Sequence, residues 1–321
     1  MKKIHLVGAS LLVLANLASA ADYKFRLAHQ APKSDNHQVA AQRFADLVKE
    51  RTNGAVEIAT FPGGTLGNDQ QVVNLVRGGT IDFGLAGSSF LSANVPQIAV
   101  LELPFIFRNT AHAYKVLDGK VGQGLLSKFD SQNLKGLSYF ENGWRELSNN
   151  KRPVRTPDDV KGLKLRTTPN PYHIQAFQLL GANPSPLPIS ELYTALEQKA
   201  FDGQEHPLPA FYSAKFSEVQ KFLTITNHIY SPTIAFMNKE KFDSLPANIQ
   251  LAIADSARDA ARYHRELNQR DASKILEELK KSGLQVIEQI DTAPFQKIVE
   301  PTHRSFAEKY GAELLNAIQA E

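Results

Sequence analysis

Tyr23-Lys24-Phe25-Arg26-Leu27 places apolar residues at every second position, the period of a strand with one buried face. The residues that follow decide the fold. Val39, Phe44, Leu47 and Val48 recur at helical spacing, and Asn53-Gly54 stops that helix. A second strand is expected over 55–61, where Pro62-Gly63-Gly64 breaks it. A helix over 69–77 runs into Gly78-Gly79, and a third strand is expected over 81–86. Strand–helix–strand alternation of this kind predicts a mainly parallel, doubly wound α/β sheet.

The pattern restarts further on. Strands are expected at 137–140, 163–166 and 183–187, with helices over 172–180 and 191–199. Thr156-Pro157-Asp158-Asp159 has the signature of a helix start: a capping hydroxyl, proline at the first position, then acids facing the positive dipole end. The chain thus holds two α/β units. With 321 residues it also exceeds what one core usually organises. From Pro246 to Ser282 nothing but that first proline interrupts a stretch rich in Ala, Leu, Arg, Glu and Lys. One continuous helix of that length would span about 55 Å and reach across both lobes. Two helices with a bend near Asp271 fit the same residues.

The first twenty residues read as a signal peptide. Lys2 and Lys3 precede an apolar stretch from Ile4 to Leu17, and Ala18-Ser19-Ala20 supplies small residues for cleavage before Ala21. That stretch is too short to span a bilayer, which takes about twenty residues. The expectation is an exported, unanchored protein of the Gram-negative periplasm. The absence of cysteine excludes a lipidated N-terminal Cys as well as disulfides and thiolate metal sites. Net charge is +3, about +1 without the leader, and signs are mixed along the chain. Nucleic acid is therefore not an expected partner.

The sequence lacks the marks of an enzyme. It has no HExxH, no Walker loop, no GxSxG and no GxGxxG. Ala86-Gly87-Ser88-Ser89 lacks the second glycine of a nucleophile elbow. The nine histidines are scattered without ligand spacing, and His264, in a helix rich in charge, reads as part of a solvated face. No metal and no cofactor is expected. Polar residues do gather at the ends of expected strands, where open α/β sheets place their ligands. Arg166 follows one such strand, and Glu141-Asn142-Gly143-Trp144-Arg145 follows another. A guanidinium there can grip a carboxylate with two parallel hydrogen bonds. By position alone, either arginine fits a surface or salt-bridge role as well.

Longer motifs supply a resemblance. They include Leu103-Pro104-Phe105-Ile106-Phe107, the Glu141–Arg145 run, and Thr156-Pro157-Asp158-Asp159-Val160-Lys161-Gly162-Leu163-Lys164-Leu165-Arg166. Glu191-Leu192-Tyr193-Thr194-Ala195-Leu196-Glu197, Asp202-Gly203-Gln204-Glu205 and the run from Glu218 to His228 extend them. In this order they resemble the solute-binding proteins of tripartite ATP-independent periplasmic (TRAP) transporters, of the dicarboxylate-binding DctP type. The resemblance covers essentially the whole mature chain.

It implies a two-lobed periplasmic binding protein fold, each lobe a mixed, mostly parallel sheet flanked by helices, with a long helix spanning both. Approximate lobes are 21–143 plus 232–271, and 144–231 plus 272–321. The implied function is capture of a small organic acid in the cleft and delivery to the small and large membrane subunits of an ion-driven permease. Arg166 would clamp the carboxylate, and Arg145 would add a contact. Where the family usually has Asn, this chain has His206, which either lines the pocket or orients Arg166. A histidine there can titrate near neutrality; two arginines disfavour its charge and a bound carboxylate favours it. Binding is therefore expected to vary between about pH 5.5 and 8 more than in His206→Asn. Gln30, His29, Asp69 and Ser88 match contacts from the first lobe. Asp69 also fits a helix cap, and His29 a hydrogen bond between the lobes. Phe90 and Phe211 fit pocket walls or core. The family's larger-ligand members often place charged side chains near the Gly87 and Phe90 positions, and this chain has none there, so the resemblance implies a smaller or less polar acid. A periplasmic sensor module and an exported hydrolase are the other readings of such a chain.

Overall fold

The computed structural model describes residues 21–321, so the expected leader lies outside the described residues. Strand β1 (Tyr23–His29) runs parallel to β2 (Val56–Phe61) on one side and β3 (Phe83–Gly87) on the other. Helices α1 (Asn36–Arg51) and α2 (Asp69–Arg77) make the crossovers. Asp35 caps α1 by accepting from the His37 N–H at 2.8 Å. Asn53 and Gly54, both at positive φ, end it. Asn68 and Gln71 form a capping box on α2, so Asp69 is its first residue and not its cap. Val39 departs from expectation: it is 41% exposed, and Ala40 and Ala41 take the core-facing positions.

Two long strands dominate the rest. β4 (Leu134–Asn149) and, later, β8 (Phe222–Asn238) pair antiparallel over their whole lengths, from Leu134↔Asn238 to Asn149↔Phe222. At about 3.3 Å per residue, each is roughly 50 Å long. Between them in sequence come β5 (Lys164–Thr167), β6 (Asn183–Pro186) and β7 (Gly203–Pro207); β9 (Gln285–Ile287) follows. The order is β2-β1-β3-β8-β4-β7-β5-β6, with β9 on β8. One end of the β4–β8 ribbon thus carries the first lobe's strands and the other end the second lobe's.

The short strand expected at 137–140 is therefore part of a much longer one, and Arg145 lies inside it instead of past its end. Register shifts at Gly136/Ser138, Glu141/Gly143 and Arg145/Leu147 hide the strand from a period-two reading. The helix expected from Thr156 is only a 3-10 turn, Pro157–Val160, stopped where Lys161 turns extended and Gly162 takes positive φ.

Apolar cores lie on both faces of each lobe. Phe44, Phe83 and Ile253 mark one side of the first lobe, and Val72, Leu101 and Phe129 the other. Leu165, Phe177 and Phe295 lie on one face of the second lobe, and Leu192, Phe211 and Leu223 on the other. The helix Ala247–Lys281 is one 35-residue element without a second start near Asp271. Ile253 and Ala257 pack in the first lobe, Ile275 and Leu279 in the second, so it spans both. His264 corrects the sequence reading: it is fully buried, and its Nδ1 accepts from the Glu141 N–H at 3.3 Å. The last helices of the 272–321 segment contact both lobes. Phe306, Leu315 and Ile318 join an apolar cluster made mostly of first-lobe residues, in which the Phe306 ring packs 5.6 Å from that of Tyr172, and the His112 ring lies 2.8 Å from the Ile318 carbonyl. No helix among the described residues is long and apolar enough to cross a membrane.

Candidate ligand-binding cleft

The ends of β1, β3, β5 and β7 and the middle of β4 converge on a cavity of about 80 Å³. One water needs about 10–15 Å³ measured this way, so the space suits a small molecule. Arg145, Arg166, Thr168 and His206 line it from the second lobe, and His29, Gln30, Asp35 and Asp69 from the first.

Arg166 stands on β5, where Leu165 is buried in the lobe core and Arg166 reaches the cleft. Its Nε donates to the Leu187 carbonyl at 2.7 Å, and Nη1, buried, has no hydrogen-bond partner among the described residues. Burial lowers its pKa to about 10, with Glu205 and Asp69 opposing the shift and Arg145 adding to it. It remains a cation at neutral pH.

Arg145 is placed differently. Its Nε bonds Glu205 Oε2, and Nη2 lies 2.9 Å from Oε1 and 2.7 Å from the Glu205 carbonyl. Burial works against both charges, but each partner outweighs that: the arginine's pKa is raised and the glutamate's is held well below the carboxylate range. His228 Nε2 lies 3.5 Å from Glu205. His173 lies with Nδ1 4.0 Å from Glu205 and Nε2 2.9 Å from Glu102. Glu102 in turn accepts from the Ser89 N–H at 2.8 Å and from the hydroxyls of Ser88 and Ser89. This buried network behind the cleft has no signature in the sequence, because its members are joined only by the fold.

His206, on β7, shares a 2.5 Å hydrogen bond between Nδ1 and Gln204 Oε1. Burial, then Arg145 and Arg166, hold its pKa well below the ordinary histidine value. That overturns the expected titration near neutrality: the imidazole is neutral across the physiological range. Of the first-lobe residues, His29 bonds Gln38 Oε1 at 2.9 Å and burial lowers its pKa to about 4. Gln30 Nε2 donates to the Gly67 carbonyl at 3.0 Å. Burial raises the Asp69 pKa to about 7 against the pull of Arg166. Ser88 is brought close but turned away, its hydroxyl on Glu102; its neighbour Ser89 lines the cavity instead. Phe90 is a wall residue, whereas Phe211 is core. Asp35, Ser213, Asn142 and Thr168 also line the cavity, unforeseen from sequence. Among the described residues no group of three or more His, Asp or Glu could hold a metal ion.

A family model described as bacterial extracellular solute-binding protein, family 7, matches residues 27–309. The chain belongs to that family. Within it, the chain is 43% identical over 310 residues to the 2,3-diketo-L-gulonate-binding periplasmic protein of Escherichia coli K12, covering 96% of this chain and 94% of that one. The fold matches a TRAP periplasmic solute-binding protein of Polaromonas sp. JS666 bound to D-erythronate, with TM-score 0.91 and 36% identity over 93% of this chain and 98% of the other. It also matches one of Sulfurospirillum deleyianum with bound succinate, with TM-score 0.88 and 32% identity over 94% and 99% of the two chains. The family 7 proteins are solute-binding proteins and not enzymes, and these two neighbours hold small acids.

Proposed function

We propose that this family 7 protein captures a small organic acid between its lobes and hands it to the small and large membrane subunits of a TRAP permease. One observation carries the reading: Arg166 is a buried, charged guanidinium in the cleft with a donor that meets no hydrogen-bond partner among the described residues. Burying such a charge without a partner is costly, and a carboxylate offers the matching acceptors. Arg145, already neutralised, adds a neutral-pair edge to the site, and His206, Gln30, His29 and Asp69 complete the walls.

In this reading residues 1–20 are a cleaved signal peptide, and the chain works in the periplasm. Segments 21–143 and 232–271 move as one lobe. Segment 144–231 with the stretch after 272 makes the other, the last helices docking back on the first. The β4–β8 ribbon is the connection that flexes. An acid drives closure only through the contacts it gains in the closed form.

A thermal-shift screen of organic acids beside matched neutral solutes tests this, since binding to the native state raises the melting temperature. D-erythronate or a similar acid should stabilise the protein and erythritol should not. Stabilisation by neutral solutes alone would overturn the reading.

A further inference from the structure

The cleft is electrostatically lopsided. Its second-lobe wall carries two guanidinium groups, but Glu205 neutralises Arg145, leaving the single charge of Arg166. His206 and His29 add none at neutral pH. The first-lobe wall has the opposite character. Asp35 is held ionised against its burial by His37, with which it is paired at 2.7 Å, and by the Ser213 hydroxyl, so Asp69 is that wall's carboxyl without a charged partner in contact.

The hydrogen-bond polarity of that wall points the same way. His29 gives its Nε2 proton to Gln38 Oε1, whose own amide nitrogen donates to Thr60, so Nδ1 is left as a bare acceptor. Gln30 uses its amide nitrogen on Gly67, which leaves its Oε1, also buried, as an unpartnered acceptor. Among the described residues no other side chain donates to the Asp69 carboxyl. Three neighbouring groups on the cavity wall therefore call for donors. An ionised carboxylate has only acceptors to offer, whereas hydroxyl groups donate.

We infer that the cleft selects a hydroxylated monocarboxylate, with its one carboxylate on Arg166 and its hydroxyls on His29, Gln30 and Asp69, and rejects the diacid of the same chain length. This rests on the carboxylate-receptor reading above and goes on to fix the chemistry of the other end. Replacing the terminal CH₂OH by a second carboxylate puts an acceptor against acceptors and a negative charge beside Asp69, which is unfavourable.

Titration calorimetry at pH 7.5 on matched pairs tests it: D-erythronate against meso-tartrate, D-galactonate against galactarate, with succinate as an acid without hydroxyls. In the pair that fits, the monoacid should bind at least a hundred-fold tighter than the diacid. Asp69→Asn should narrow that gap at least ten-fold, chiefly by improving the diacid. Equal or tighter diacid binding, or a gap unmoved by Asp69→Asn, overturns the inference. Binding of succinate alone overturns it while the carboxylate reading stands; binding of none of these acids removes both.

Discussion

Arg145 grips Glu205 with both ends of its fork, Nε on Oε2 and Nη2 2.9 Å from Oε1, and the pair is sealed from solvent. Arg166, equally buried beside it, makes among the described residues only the bond to the Leu187 carbonyl. Two arginines on one wall therefore differ: Arg145 is neutralised within the protein, and Arg166 keeps a buried donor unpartnered among the described residues.

Their removal should change stability in opposite directions. Arg145→Met strands the Glu205 charge, and breaking a buried pair in this way costs about 3–5 kcal/mol. Arg166→Met removes a cation whose pKa is depressed from 12.5 to about 10, worth roughly 3 kcal/mol at 1.36 kcal/mol per unit. Thermal unfolding at pH 7 without ligand should show Arg145→Met melting well below the parent and Arg166→Met a few degrees above it. Two losses of similar size would contradict the assignment.

The lobes are also tied directly. The Ser213 hydroxyl, at the end of the helix Leu208–Ser213, donates to Asp35 at the start of α1. A hydrogen bond to a charged group contributes about 1.5–3 kcal/mol, and the proposed opening of the lobes would break this one. Ser213→Ala should speed dissociation of a bound acid by about 10- to 100-fold with little change in association rate. Stopped-flow fluorescence of Trp144, the only tryptophan, can follow it. An unchanged dissociation rate would remove the latch.

Glu146 predicts a pH effect on stability. It lies buried on β4, accepting the N–H groups of Thr226 at 2.6 Å and Asn227 at 2.9 Å, yet burial outweighs these bonds and raises its pKa to about 8. The folded protein then keeps a proton that the unfolded chain has lost above about pH 4.5. Stability must fall as pH rises through that window. Buried neutral histidines act with the opposite sign, but only below their unfolded value near 6.5. Between pH 6.5 and 8 the Glu146 contribution falls by about 2 kcal/mol. Glu146→Gln should flatten the decline seen in denaturant titrations over that range; an unaltered slope would refute the assignment.

Legibility from sequence followed the locality of the signal. The unit from β1 to β3 could be read because each element carries its own period and stop, as at Asn53-Gly54. The long helix could be read because no glycine or proline breaks it. β4 and β8 could not, because bulges shift their alternation three times and Gly143 takes positive φ. His264 was misread from its charged neighbours, although its spacing from Ala257, Ala260 and Ala261 places it on the buried face. Arg166, Arg145, His206, Asp69, His29 and Gln30 do meet in one cavity. What sequence could not supply was their pairing. Glu205 lies sixty residues from Arg145, and only the fold reveals which arginine is already taken.

Everything in this account depends on the Arg166 charge being reserved for an acid from outside the protein. Titration calorimetry of Arg166→Ala with D-erythronate, or with whichever acid stabilises the parent most, tests that directly. Truncating one partner of a buried charge pair costs about 2–5 kcal/mol, so affinity should drop by roughly 30-fold to several thousand-fold. An affinity equal to the parent's would contradict it.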